Sequence, residues 1–275
     1  LSFKKLGFRV LVAVFGIPII VTLVLLGGLP FVGLVLLINL LAQYEFYQLT
    51  ERKQMNPLKL IGLLGTVLIT VCLFYYGIEK LWPIVAGLFY VILLVELFRN
   101  KGSATYNIAA TAWGIFYPTV FFGFNILIRE LPRSLQIDYA AGGRWLLLML
   151  ITIWICDTAA YFIGSAWGKN KLYSRVSPHK TVEGAVAGFV FAIITAYFCH
   201  RLFIREFQLV HSLVIGVLIG ILSQIGDLVE SVFKRDAGVK DTSGILPGHG
   251  GFLDRFDAPL FMAPLVYCYL RFVVF

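Results

Sequence analysis

Apolar runs long enough to cross a bilayer as helix recur along the chain, parted by short polar breaks. Nine are legible, at approximately 8–27, 29–46, 59–76, 81–98, 105–128, 144–165, 184–203, 209–228 and 254–274. The longest polar breaks fall at 47–58, 129–143, 166–183 and 229–253, and no low-complexity linker separates the runs. This pattern predicts an all-α polytopic membrane protein with about nine transmembrane helices. It also suggests a division near residue 140, into an N-terminal helical bundle (1–140) and a C-terminal region (141–275) that carries the polar loops 166–183 and 229–253.

Composition agrees with that reading. Hydrophobic residues make up 59% of the 275 positions and charged residues only 14%, with a mean hydropathy of +0.87, which excludes an ordinary soluble domain. Lys4, Lys5 and Arg9 before an apolar run resemble the start of a secretory signal. The length of the run, Pro18 within it and the lack of a small-residue cleavage site make it the first membrane helix instead. Most of the 23 Lys and Arg residues, among them Lys4, Lys5, Arg52, Lys53, Lys169, Lys234 and Arg235, lie in segments that a cytoplasmic amino terminus would place inside. The expected topology is therefore N-in and C-out, with both polar loops of the C-terminal region in the cytoplasm. A net charge of +8 then reflects topology and anionic lipid headgroups, and calls for no nucleic acid. Cys72, Cys156, Cys199 and Cys268 all fall in apolar runs without paired or metal-type spacing, and read as buried thiols.

Polar chemistry is concentrated near the carboxyl terminus, where residues 226–257 hold five of the seven aspartates. Ionisable groups at a membrane boundary are costly unless paired, hydrated or metal-bound, so this concentration marks a candidate site. Asp227, Glu230, Ser231 and Lys234 share one face if the eighth helix continues that far, and Asp254 and Asp257 share a face of the ninth. Gly248, Gly250 and Gly251 interrupt regular helix between them and let backbone N–H groups approach a ligand. Carboxylates from two helix ends are hard oxygen donors suited to Mg²⁺, while Lys234, Arg235 and Lys240 would neutralise phosphate. Upstream, Asp157 lies inside the sixth apolar run and Ser177-Pro178-His179-Lys180-Thr181 precedes the seventh. Lys180 is the better phosphate-binding candidate of that segment. Residues 164–169 lack the spacing of a Walker loop, and no dinucleotide fingerprint, zinc spacing or nucleophile elbow occurs. The spacings Gly184 to Gly188 and Gly216 to Gly220 permit close helix contact, more simply within the chain than between copies.

Ser231, Lys234-Arg235, Lys240-Asp241, His249-Gly250-Gly251 and Asp254-Arg255-Phe256-Asp257, with Asp157 and the Ser177–Thr181 segment upstream, resemble the signature of the phosphatidate cytidylyltransferases. The resemblance implies transfer of the cytidylyl group of CTP to phosphatidic acid, giving CDP-diacylglycerol and pyrophosphate for phospholipid synthesis. It implies catalytic roles for Asp227, Asp254, Asp257, Lys234 and Arg235. Substrate contacts would fall to Ser177, Lys180, Thr181, Ser231, Lys240, Asp241, His249, Gly250, Gly251 and Arg255. Asp227, Asp254 and Asp257 would bind Mg²⁺, with Asp157 as a further candidate ligand and room for a second cation. A homodimer in a bacterial inner membrane, its active site facing the cytoplasm, completes the expectation. The alternatives are a CTP-dependent kinase of a polyprenol-type lipid alcohol and a transporter; the latter would typically show internal repeats or broken helices, and none is detected.

Overall fold

The computed structural model describes residues 3–245 and 250–275, and side chains from Val14 onward. It is built of helices α1 (Phe3–Leu26), α2 (Gly28–Arg52), α3 (Lys59–Tyr76), α4 (Leu81–Arg99), α5 (Ala104–Gly114), α6 (Phe121–Leu135), α7 (Ala140–Trp167), α8 (Val182–Phe203), α9 (Leu209–Asp236) and α10 (Leu253–Tyr269). A short hairpin of β1 (Lys171–Tyr173) and β2 (Ser177–Thr181) precedes α8. Among the described residues, eight spans are long and apolar enough to cross a membrane, with Val14–Leu26 as a shorter apolar helix. The all-α polytopic expectation holds.

Three local differences from the sequence pattern have clear causes. The fifth run is one span, Ala104–Leu135, in which α5 and α6 are joined by a π-helical turn over Ile115–Val120. Pro118 sits in that turn; it lacks the N–H that a regular helix would use there, so the ladder widens. The polar break at 229–253 begins as helix, because α9 runs on to Asp236. At about 1.5 Å per residue its 28 residues span about 42 Å, more than a hydrocarbon layer of about 30 Å, so the apolar part can cross while the charged end stands clear. The hairpin was not foreseen: its strands are too short for alternation to register.

By packing the chain forms two units, each discontinuous in sequence, where the hydropathy pattern suggested one division near residue 140. The first comprises residues 1–127 and 236–256, the second 128–235 and 257–275. In the first unit α2 carries a buried polar stripe, Asn39, Gln43 and Tyr47, at successive turns. Thr66 donates to Gln43 Oε1 at 2.6 Å and lies 2.8 Å from the Thr119 hydroxyl, and the Tyr47 hydroxyl donates to Thr111 O at 3.1 Å. Bonds of this kind tie helices together in lipid, typically contributing about 0.6 to 2 kcal/mol each. Tyr47 is fully buried because Gly62 and Gly114 leave space for its ring; a Cβ at either would overlap it.

In the second unit α7 and α8 pack closely through glycine. Cβ atoms at Gly184 and Gly188 would press on Ala160 O and Cys156 O. Gly216 and Gly220 bring α9 against Ala192, Ala196 and Phe189 of α8 in the same way. Both small-residue spacings therefore serve contacts within the chain. Cys72, Cys156, Cys199 and Cys268 are free thiols, Cys268 exposed and the others buried.

Candidate active site

The second unit gathers acids from three helices. Asp157 comes from α7, Asp227 from α9 and Asp257 from α10. Gly226, next to Asp227, is what lets α10 approach α9, since a Cβ there would stand 2.7 Å from Cβ of Phe261. Asp257 interacts electrostatically with both other aspartates and with Lys234, and Asp157 with Asp227 and Lys180. Lys180 reaches from β2 to place Nζ 2.7 Å from Asp227 Oδ2, while its ammonium also donates to Gln224 O at 3.5 Å. Ser231 donates to Asp227 Oδ1 at 3.4 Å from one turn along α9, so the predicted shared face exists. Lys234 pairs at 2.9 Å with the fully buried Glu230, and Arg235 Nε donates to Val176 O at 3.1 Å, fastening the end of α9 to the hairpin. Thr181, expected to touch substrate, also caps α8: its Oγ1 accepts from Gly184 N at 3.2 Å.

This arrangement has an excess of negative charge in an apolar setting. Asp157, Asp227 and Asp257 are met by two lysines only, Lys180 beside Asp157 and Asp227 and Lys234 acting on Asp257, and Lys234 is itself paired with Glu230. The donor set, all carboxylate, is the kind that takes a hard divalent cation together with water and phosphate. Among the described residues no group of three or more His, Cys, Asp or Glu side chains is already assembled to hold a metal ion.

Of the remaining predicted residues, Ser177 opens β2 in the second unit, and the others that the structure describes lie in the first. Asp254, at the start of α10, accepts at Oδ2 from Thr242 N, Thr242 Oγ1 and Gly251 N, each at 2.8 Å. Gly250 adopts φ +79°, a left-handed conformation open to glycine. Lys240, Asp241 and Arg255 are exposed. His249 lies outside the described residues. Sequence reasoning missed Glu45 of α2, which is fully buried and hydrogen-bonded to both stems of the loop leading into α10. The signal was present: Glu45 is the one charged residue of the apolar run 29–46, and an acid at that depth is a site hypothesis by default.

The model of the cytidylyltransferase family matches residues 7–273, nearly the whole chain. The chain belongs to the cytidylyltransferase family. Among curated members, a phosphatidate cytidylyltransferase of Bacillus subtilis (strain 168) is 32% identical over 266 residues, covering 94% of this chain and 95% of the relative. One from Synechocystis sp. is 29% identical over 283 residues, with 95% of each chain covered. One from Staphylococcus aureus (strain COL) is 30% identical, covering 94% of this chain and 96% of its own. Family membership thus extends over both packing units, and with them over both groups of acids.

Proposed function

We propose that this chain is a phosphatidate cytidylyltransferase, transferring the cytidylyl group of CTP to phosphatidic acid to give CDP-diacylglycerol and pyrophosphate. The observation that carries the reading is the cluster of Asp157, Asp227, Asp257 and Lys180, set in a full-length match to the cytidylyltransferase family. In the reaction a phosphate oxygen of the lipid attacks the α-phosphorus of CTP, a new P–O bond forms, and the α–β anhydride bond breaks with its electron pair leaving on pyrophosphate. The lipid phosphate is already anionic, so no general base is needed. The work left to the protein is to hold two anions in line and to neutralise charge.

Lys180 is placed to hold a phosphate oxygen when its contact with Asp227 is exchanged, and Lys234 and Arg235 supply positive charge at the end of α9. Asp227 and Asp257, with Asp157, are the residues that would hold Mg²⁺. When bound, that cation would screen the polyphosphate and stabilise charge on the departing pyrophosphate. Asp254 Oδ2 is engaged by the loop, and we assign that carboxylate to ordering it; Lys240 and Arg255 give the loop its positive charge. We further propose a bacterial inner-membrane location with the site toward the cytoplasm, as the basic segments indicate, and a homodimeric assembly, as the family resemblance implies.

The test is incubation of detergent-purified protein with phosphatidic acid, Mg²⁺ and CTP labelled at the α-phosphate. Label in the lipid together with free pyrophosphate is expected, and both should vanish with chelator. Release of CDP with unlabelled lipid would point to a lipid kinase instead.

A further inference from the structure

We infer that Glu45 is a positioning residue for the signature loop: from α2 it fixes both stems of the segment leading into α10 and, through Thr242, orients Asp254. This inference rests on the cytidylyltransferase reading for its kinetic consequence but not for its structural one. Glu45 is fully buried, yet both of its oxygens are hydrogen-bonded, and one of the donors, the Thr242 hydroxyl, shares its single proton with Asp254 Oδ2. Oε1 accepts from Ser243 Oγ at 2.6 Å and Phe252 N at 3.0 Å; Oε2 accepts from Thr242 Oγ1 at 2.9 Å and Leu253 N at 2.9 Å. Thr242 and Ser243 enter the loop, and Phe252 and Leu253 leave it.

The two backbone donors belong to the N-terminal edge of α10, where N–H groups have no partner within the helix and a negative charge is favoured. Glu45 therefore does from another helix what a capping side chain does locally, while also holding the opposite stem. Thr242 Oγ1 stands 2.9 Å from Glu45 Oε2 and 2.8 Å from Asp254 Oδ2, so one hydroxyl links the acid that grips the loop to the acid of the signature. Gly251 completes the fit, because a Cβ there would overlap both the Thr242 hydroxyl and the Glu45 carboxylate.

Only a carboxylate suits this place. Each oxygen meets one backbone N–H that cannot turn away, Phe252 N at Oε1 and Leu253 N at Oε2, and an amide of the same shape would set its NH₂ against one of them whichever way it is flipped. This separates positioning from space-filling. If Glu45 merely fills volume, Glu45→Gln is harmless and the shorter Glu45→Asp is the damaging change; if it positions the loop by accepting hydrogen bonds, the order is reversed.

The experiment uses the full chain in detergent, comparing wild type, Glu45→Gln, Glu45→Asp and Thr242→Val, with Glu96→Gln as control. Glu96 is buried in the same unit and bonded to Asn107 and Arg99, but has no contact with the loop among those described. Amide exchange over 250–256 should quicken about tenfold in Glu45→Gln and stay at the wild-type rate in Glu96→Gln. With CTP and phosphatidic acid, kcat/KM for CTP should fall about 100-fold in Glu45→Gln, less in Glu45→Asp, and stay near wild type in Glu96→Gln. Wild-type exchange and kcat/KM in Glu45→Gln, or greater damage in Glu45→Asp, would overturn the inference. Should Glu45→Gln fail to fold, Thr242→Val decides: faster loop exchange supports the role of the linking hydroxyl, and unchanged exchange refutes it. A wild-type protein that makes no CDP-diacylglycerol would defeat the functional reading alone, since the exchange comparison needs no turnover.

Discussion

Glu45 and Asp227 are both acids set into apolar helices, but their surroundings differ in kind. Glu45 is enclosed by neutral donors, two hydroxyls and two backbone N–H groups, which satisfy its oxygens without any positive charge. Asp227 is only half-buried, has a single lysine at 2.7 Å and a serine at 3.4 Å, and shares its electrostatic environment with two other aspartates. A carboxylate met by neutral dipoles is part of the architecture; one met by other carboxylates is prepared for an incoming charge. Under the proposed function, the difference separates an acid that shapes the loop from acids that would handle the reactants.

The sharpest way to break the comparison is to neutralise one acid of the open cluster. Asp227→Asn should lower turnover by about 1,000-fold or more while leaving thermal stability equal to or above wild type, because a mutual repulsion is removed along with the charge. Pyrophosphate release and a melting curve on the same preparation would check this, and a parallel fall in stability would place Asp227 with Glu45 instead. Next in size is the response to metal without substrate. Mg²⁺ should raise the melting temperature of the wild type, as any ligand specific to the folded state does, and should fail to do so in Asp227→Asn. An equal rise in both proteins would move the cation away from these carboxylates.

A smaller effect is expected from Gly226→Ala, whose new methyl would stand 2.7 Å from Phe261 Cβ. Overpacking of this sort costs about 1 to 3 kcal/mol, and here it would push α10 off α9 beside Asp227. Denaturant titration should show lost stability together with reduced activity, whereas activity kept at full level would mean that the aspartates tolerate a looser contact. Smallest of all should be Lys53→Ala. It removes an ion pair with Asp236 at 3.0 Å whose side chains are 41% and 64% exposed, and such pairs contribute about 0 to 1 kcal/mol, less in salt. An unfolding midpoint moved by more than that would give this contact a larger part in holding the first unit together.

Much of this was legible in the sequence for physical reasons. Membrane helices declare themselves by length and apolarity, and the face of Asp227, Glu230, Ser231 and Lys234 follows from helical period once α9 is known to continue to Asp236. Asp157 was visible as an acid in an apolar run. The hairpin was hidden, since three and five residues of strand cannot establish a pattern. The role of Thr181 as a cap was obscured by its place in a motif that suggested ligand contact. The grouping of residues 236–256 with the amino-terminal helices could not be read at all, because it depends on bonds such as Glu45 to Thr242, 197 residues apart, and no local periodicity encodes a partner at that range.

That separation also bears on how the protein is made. Glu45 enters the membrane with α2 well before Thr242, Ser243, Phe252 and Leu253 exist; at about 5 to 20 residues per second the ribosome needs about 10 to 40 s to reach them. During that interval the growing chain carries an acid whose final partners have not been synthesised. The loop stems at 242–253 are thus what relieves a helix made far earlier, so that the assembly of the first unit waits for its second, distant segment.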